Sequence, residues 1–521
     1  MKKVFNGKNS RNAISGVRLF LVLFFSLFGI TGLYSCGGGE SGSDNVGSPT
    51  QIVPAAGMDL YGFVGDYEGK PVEGVVVSDG FTCTQTNSKG IYQMARSQEA
   101  VFVYYSAPSD FKVRPATFYQ TLIESKKRYD FKLTRLSNAE TNFSLVCIGD
   151  PQVTSSAEIT RFNQETMSDI NEFVQSSSTP VYGLCMGDVA GDKPALESQI
   201  KPIISSTSMP VFTTIGNHDK VASTNASEPR NSDVFCSVFG PLNYSFNRGN
   251  VHLVSLDDVR YSNSSDYTGG FTDSQVEWLK QDLSYVPKTN MVILYYHIPL
   301  RNTASYQNRD NILKLLEGYS EVHLMCGHTH YTENYMVTSP VSVFEHIHSA
   351  ACGAWWHSVI NGDGTPNGYA VYEISGNKIK NWYYKAVNFD KSYQIRLHRG
   401  NASFGGTNGY FTYGQNVNTL IANIWNADDS WTVNVYEDGV NKGSMTKASS
   451  ITTDAWSKGY HIGVVGRDPD NYSQPTKHLY LYQISNPAAK IKVEATDRFG
   501  NKYAQDQITE NLSMAEKYIT N

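Results

Sequence analysis

Three rhythms of apolar and polar positions succeed one another along the chain. Between residues 58 and 137, short β-branched runs alternate with Gly, Pro, Asn and Asp, as in "LYGFVGDYEGKPVEGVVVSDGFTCTQTNSKGIYQM". That spacing predicts an all-β domain of sandwich size. From Asn142 the runs lengthen: "FSLVCIGD", "PVYGLCMGD", "PVFTTIGNH", "VHLVSLDD", "MVILYYH" and "EVHLMCGH". Between them lie amphipathic segments, predicting helices near 157–175, near 195–206, from about Asp273 and near 309–318. Strand–helix alternation of this kind predicts a layered α/β domain. One helix start is spelled out in "FTDSQVEWLKQDL": Thr272 caps the amide of Gln275, Gln275 reaches back, and Phe271 packs on Val276. Residues 340–386 return to strands, and from 387 to 521 "TLIANIWNADDSWTVNVYEDG" and "KHLYLYQIS" predict a second all-β sandwich. Trp425, Trp431 and Trp456 are assigned to its core rather than to a binding face.

The first 35 residues change the picture of location. Lys2, Lys3, Lys8, Arg11 and Arg18 precede or open the uncharged stretch "LFLVLFFSLFGITGLYS", which is short for a membrane span and of signal-peptide length. "LYSC" followed by "GGGESGSDNVGSPT" resembles a bacterial lipoprotein signal. The expectation is a signal peptide over 1–35, a lipidated Cys36, and a flexible Gly/Ser-rich tether over 36–57. The protein is then exported and held in the bacterial cell envelope, with the outer membrane as its partner through Cys36. The rest of the chain carries 38 basic against 49 acidic residues, a balance of −11, which gives no electrostatic reason to bind nucleic acid. Cys83, Cys147, Cys185, Cys236, Cys326 and Cys352 have no zinc-finger spacing, and three sit in apolar runs as small buried residues. The region 58–137 resembles the transthyretin-like or carboxypeptidase-regulatory sandwiches that precede many secreted enzymes, and it shows no catalytic constellation.

Candidate chemistry is concentrated at strand ends. Five strands of the α/β region stop at Asp150 with Gln152, at Asp188, at Asn217 with His218, at His297, and at His328 with His330. In open α/β sheets the carboxyl ends of the strands form the ligand crevice. One acid there is commonplace; several Asp, Asn and His residues in that position point to a shared site.

The ordered set "GDPQ" (149–152), "GDVAGD" (187–192), "GNHD" (216–219), "YYHIP" (295–299) and "GHTH" (327–330) resembles the signature of the calcineurin-like metallophosphoesterases. The resemblance covers residues 142–375 and extends to a bacterial subgroup with sandwiches on both sides of the core. It implies a four-layer α/β/β/α phosphoesterase sandwich over 138–386, flanked by all-β sandwiches at 58–137 and 387–521. It also implies two divalent or trivalent metal ions. By matching position, Asp188 bridges them, Asp150 and His330 hold the first, and Asn217, His297 and His328 hold the second. A carboxylate can hold two cations roughly 3.5–4 Å apart, and such a pair activates water for attack on phosphorus. The mixed N/O donors suit Mn, Fe, Zn, Ni or Co better than Ca. His218 is implied to lie over the substrate phosphate, as general acid or transition-state stabiliser, with Asp192 or Asp219 orienting it. Asn217, Trp355 and Trp356 are further candidates for substrate contact.

Gln152 departs from the pattern, which has His there. Either its amide oxygen ligates the first metal and shifts preference towards harder ions such as Mn or Mg, or it withdraws and leaves a weaker first site. The second acid of the second motif is displaced, because Gly191 stands where the family has Asp and Asp192 follows. His346, His348, His252 and His323 are assigned to packing, and Asp257 to shaping the pocket. The implied reaction is hydrolysis of a phosphomonoester or phosphodiester. The rival is a surface binding lipoprotein for glycan or envelope ligands, with a vestigial metal core.

Overall fold

Alternate residues of the strand Asn142–Ile148 face two different cores, and the middle of the molecule is built on that division. Phe143, Leu145 and Cys147 pack with Leu253, Ile293, Leu294 and Leu324 of a second sheet. Val146 and Ile148 pack with Ile159, Phe162, Ile170, Ile200 and Ile204 of the following helices. A strand buried on both faces reads as a continuous apolar run, which is how "FSLVCI" reads. The computed structural model describes residues 49, 51–225, 228–301 and 306–513. The expected signal segment 1–35 and Cys36 lie outside the described residues.

The first sheet runs in the order Val211–Thr213, Val181–Cys185, Asn142–Ile148, Gly368–Ser375, Lys378–Ala386. Its first three strands are parallel and the last two antiparallel to their neighbours. The second sheet runs Tyr244–Arg248, Val251–Ser255, Met291–Tyr295, Glu321–Cys326, Val343–Ile347, Glu333–Val337. Its four central strands are parallel. Cys147 Sγ and Met325 Sδ meet between the sheets at 3.6 Å. The parallel strands of both sheets therefore deliver their carboxyl ends to one edge of the molecule.

The helices follow the amphipathic segments with local departures. The segment expected near 157–175 is Ser156–Phe162, a π-helical turn Asn163–Met167, and Ser168–Ser176. Glu197–Ile204 follows a 3-10 turn, Pro194–Leu196. Asp273–Leu283 carries the capping box, with Thr272 accepting from Gln275 N at 3.2 Å and Gln275 Oε1 accepting from Thr272 N at 2.8 Å. Arg309–Leu315 completes the set.

The region before Asn142 forms two sheets, with Leu60–Asp66 central to one and Val76–Ser78 and Phe102–Tyr105 central to the other. It is fastened to the middle region by Trp278 Nε1, which donates to Ser78 Oγ at 3.0 Å, and by the buried Arg248, whose Nη2 donates to Phe111 O at 2.7 Å. After residue 387, two four-stranded sheets and a hairpin enclose a core containing Trp431, while Trp425 and Trp456 are fully buried beside it. This region is not wholly strand. It also contains the short helices Ala455–Lys458 and Pro469–Tyr472, separated by a π-helical turn at Gly459–Val464. Helices of four residues show too little of a 3.6-residue period to register in the sequence pattern. The six described cysteines are unbridged, and no described helix is long and apolar enough to cross a membrane.

Replacing Thr272 with Ala removes the cap of the Asp273–Leu283 helix. Stability should fall by about 0.5–2 kcal/mol, read as a lower denaturant midpoint at unchanged slope.

Candidate metal centre

Three of the five strand ends that carry candidate ligands turn sharply. Asp150, Gln152, Asp188, His328 and His330 all have φ between 33° and 70°, in the left-handed region. Asp and His tolerate that region better than most residues. The turn re-aims each side chain from the sheet's face to its edge. Neighbouring glycines clear the space. A Cβ on Gly216 would lie 2.2 Å from Asp188 Oδ1, and one on Gly327 2.4 Å from Asp150 Oδ2.

The donors converge as two triads that share Asp188. The ligating atoms of Asp150, Asp188 and His330 lie within 4.8 Å of one another, as do those of Asp188, His297 and His328. Asn217 joins the second triad, its Oδ1 lying 3.0 Å from His297 Nε2 and 3.0 Å from His328 Nδ1. His297 Nδ1 donates to Met186 O at 2.7 Å, so its Nε2 presents a lone pair. That lone pair lies 3.1 Å from Asp188 Oδ2 and 3.0 Å from Asn217 Oδ1. Three donor atoms so placed fit a cation between them, and a proton on Nε2 serves in its absence. On the other side, His330 Nδ1 is buried without a hydrogen-bond partner, and Nε2 lies 3.6 Å from Asp150 Oδ1. The residues present thus fit two metal ions: Asp150 and His330 with Asp188 for the first, Asn217, His297 and His328 with Asp188 for the second.

Electrostatics agrees with that fit. Asp150, Asp188, Asp219 and Asp258 are buried, and among the described residues no Lys or Arg pairs with any of them. Burial pushes Asp150 up to about 8, with the Asp188 charge adding and His297 opposing. Burial pushes Asp219 and Asp258 up to about 6. Asp188 goes the other way: burial is outweighed by the facing His297 and His218 rings, and its carboxyl falls below the usual range. Burial alone would lower His297, but the Asp188 carboxylate raises it to about 10, so without a metal a proton on Nε2 takes the place an ion would fill. Burial lowers His328 to about 3 and His330 to about 4, leaving both rings neutral and ready to ligate.

Further carboxylates tie the loops in place. Asp219 accepts from Val189 N at 2.9 Å, Ala190 N at 3.2 Å and Gly216 N at 2.9 Å. It therefore braces two motif loops and does not face His218. Asp192 does: its Oδ1 lies 2.9 Å from His218 Nδ1. Asp258 accepts from His297 N at 3.0 Å, Ile298 N at 2.8 Å and Tyr306 Oη at 2.6 Å. It holds the His297 loop, while Asp257, expected to shape the pocket, pairs with Lys220 at 2.7 Å. Trp356 is likewise corrected. It is 2 % exposed, inside the core, and donates Nε1 to Pro151 O at 2.9 Å, so it cannot touch a substrate. Trp355 is part-exposed and packs on His330, ring centroids 4.8 Å apart. His346, His348, His252 and His323 are all buried and hydrogen-bonded.

Gln152 donates Nε2 to Asp188 Oδ2 at 2.9 Å. In this rotamer it braces the carboxylate that the two triads share; half a turn of the amide would present its oxygen instead. Residues without a motif also reach the site. Tyr267 packs on His328 at 5.8 Å, Tyr261 donates Oη to Asn217 O at 3.0 Å, and the Arg230 guanidinium lies over Tyr261. Only the aromatic spacing of "RYSNSSDY" hinted at them.

Residues 143–332 match the family model for calcineurin-like phosphoesterase. Residues 58–136 match the model for the N terminal of calcineurin-like phosphoesterase, and 345–503 that for its C terminal. No curated protein sequence matches the chain. Among solved structures, it is similar to a dimetal phosphatase of Danio rerio, with 12% identity over 47% of this chain and 96% of that one, TM-score 0.34. It is also similar to a purple acid phosphatase of yellow lupin, with 12% identity over 66% and 56%, TM-score 0.31. A 5'-nucleotidase precursor of Thermus thermophilus shares 14% identity over 47% and 54%, TM-score 0.29. The chain spans little more than half the length of the last two.

Elemental analysis after metal loading should find two ions per chain. Asp188→Ala should lose both, and Gly216→Ala should lose them equally, because its Cβ has nowhere to go beside the Asp188 carboxylate. Gln152→His should change the preference of the first site between Mn and Zn in a competition titration; an unchanged preference would remove Gln152 as a tuning residue.

Proposed function

The chain belongs to the calcineurin-like phosphoesterases, hydrolases acting on phosphoesters, and on that premise we propose that it hydrolyses a phosphomonoester or phosphodiester at a pair of metal ions. The observation that carries this reading is the sharing of Asp188 between two donor triads. A pair of ions held by these residues would supply positive charge against the phosphoryl oxygens and would make a water acidic enough to ionise near neutral pH. The side chains add positioning and a proton. Asp188 Oδ1 accepts from His218 N at 2.8 Å, which fixes the backbone of His218 beside the bridging carboxylate. Asp192 then holds His218 Nδ1, leaving Nε2 as the nitrogen for substrate. Burial opposes the charged ring, but Asp188 and Asp192 outweigh it and raise the His218 pKa. Once protonated, Nε2 can give its proton to the departing oxygen.

We read the two facing sheets with helices outside them as a four-layer α/β/β/α arrangement between flanking β domains. The alternating cores around Asn142–Ile148 support it. Export and lipid anchoring at Cys36 are part of the proposal and rest on the terminal sequence alone. A binding lipoprotein with a vestigial core is not favoured, since Gln152 is the one departure in an otherwise complete donor set.

Protein stripped with a chelator and reloaded separately with Mn, Fe, Zn, Ni and Co should turn over nitrophenyl phosphate or its bis-ester with at least one ion. Silence with all five would end the phosphoesterase reading. His218→Ala should lower kcat by about 10²–10⁴. Asp192→Asn removes a carboxylate that raises the His218 pKa, so the ring should lose its proton at lower pH. The alkaline limb of the pH–rate profile should move down accordingly.

A further inference from the structure

The loop carrying Trp355 is held from the far side by the C-terminal region. His461 Nε2 lies 2.7 Å from Ser358 Oγ, and Ser457 Oγ donates to Asn361 O at 2.9 Å. Asn423 Nδ2 donates to Asp363 O at 2.9 Å, and His478 Nε2 lies 3.0 Å from Asp363 Oδ2. Arg396 Nη1 donates to Gly364 O at 2.7 Å. The loop is thus tied at five points to residues lying 30 or more positions further along the chain. Just before these ties, consecutive bulky residues adopt an unfavourable backbone, with φ of 48° at Trp355 and 64° at Trp356. Trp356 turns into the core, and Trp355 is left beside the metal centre.

A continuous file of rings results. His330 packs on Trp355 at 4.8 Å, Trp355 on Tyr472 at 4.8 Å, and Tyr472 on His461 at 5.6 Å. His357 flanks the file, its Nδ1 accepting from Arg467 Nη2 at 2.9 Å. Trp355, His357 and Arg467 stay part-exposed, whereas Tyr472 behind them is buried. Opposite, the part-exposed Tyr267 stands against His328. Each triad is therefore bordered by an aromatic residue that ligates nothing. An indole held in a strained backbone at a site edge is a preorganised flat surface.

We propose that this rim selects phosphoesters whose leaving group carries a flat aromatic ring, stacked on Trp355, and that Tyr472 of the C-terminal region positions the indole. The proposal rests on the phosphoesterase reading and adds the substrate class. Trp355 is the specificity residue; Tyr472 acts through it.

The test compares benzyl phosphate with cyclohexylmethyl phosphate on metal-loaded, full-length protein. The two leaving groups are similar in size and alcohol character, but only one is flat. The wild type should favour the benzyl ester by about three- to tenfold in kcat/KM, the scale of one aromatic stack, with the difference in KM. Trp355→Gly suits the left-handed backbone and removes the ring, and it should bring the ratio to about one. Trp355→Phe should keep most of the preference. Tyr472→Leu should reduce the ratio through KM with metal content unchanged. A wild-type ratio near one, or a ratio untouched by Trp355→Gly, overturns the proposal while leaving the phosphoesterase reading intact. Absence of turnover on both esters, in protein that hydrolyses nitrophenyl phosphate or its bis-ester, overturns this proposal alone; silence on all four overturns the phosphoesterase reading as well.

Discussion

Four carboxylates withdrawn from water without a lysine or arginine to answer them set the terms for this molecule. Moving one carboxylate out of water costs several kcal/mol even after relaxation, and a domain's net stability is only about 5–15 kcal/mol. Asp150, Asp188, Asp219 and Asp258 have adopted two kinds of relief. Asp219 and Asp258 are surrounded by backbone amides, three and two respectively, with Tyr306 added to the second. Asp150 and Asp188 receive fewer amides and instead face imidazoles whose lone pairs point inward. The first pair is already satisfied by the fold. The second pair is arranged for cations, and metal binding there is also folding energy for the strand ends around it.

That arrangement is held against backbone strain. Of the described non-glycine residues with positive φ, Asp150, Gln152, Asp188, Asp192, His328, His330, Trp355 and Trp356 surround one site. At about 1 kcal/mol or more apiece, their sum rivals the stability of a whole domain. It persists because the carboxylates cross-link the loops: Asp150 takes His328 N, Asp188 takes His218 N, and Asp219 joins Gly216 to Val189 and Ala190. Each acid thereby serves its own loop and the neighbouring one, so the ligand loops stand or shift together.

Much of this was legible in the sequence because it is carried by local rules. A strand ending in Gly-Asp, Gly-Asn-His or Gly-His announces a tight turn and a polar group at the sheet edge, and the Thr272–Gln275 box announces a helix start. What escaped was decided by distance in space. Asp192 and Asp219 are equivalent in composition, and only the fold sends one to His218 and the other to the amides of 189, 190 and 216. Asp257 and Asp258 are adjacent just beyond the strand Val251–Ser255, one meeting Lys220 and the other the His297 loop, and nothing local says which does which. Trp355 and Trp356 part company for the same reason, one to the site and one to the core. The helical insert around Tyr472 left no periodic trace, and its approach to His330 through Trp355 is wholly tertiary.

The two flanking regions differ in what they touch. The N-terminal region meets the edge strand Tyr244–Arg248 and the helix Asp273–Leu283, with Phe118 packed on Phe212 and Tyr244. Its Ala107 pairs with Phe246, which covers an otherwise open sheet edge. Those contacts protect the scaffold. The C-terminal region grips the loop after Val343–Ile347, and that loop in turn grips the first metal motif: Ala351 N donates to Gly149 O at 2.8 Å, and Trp356 Nε1 to Pro151 O at 2.9 Å. Gly149 and Pro151 flank Asp150. The C-terminal region thus reaches a metal ligand's own loop through hydrogen bonds and a ring, whereas the N-terminal region packs on strands and a helix, among them Val211–Thr213, which precedes Asn217. The contacts nearest the metal ligand Asp150 therefore come by way of the loop that the C-terminal region holds.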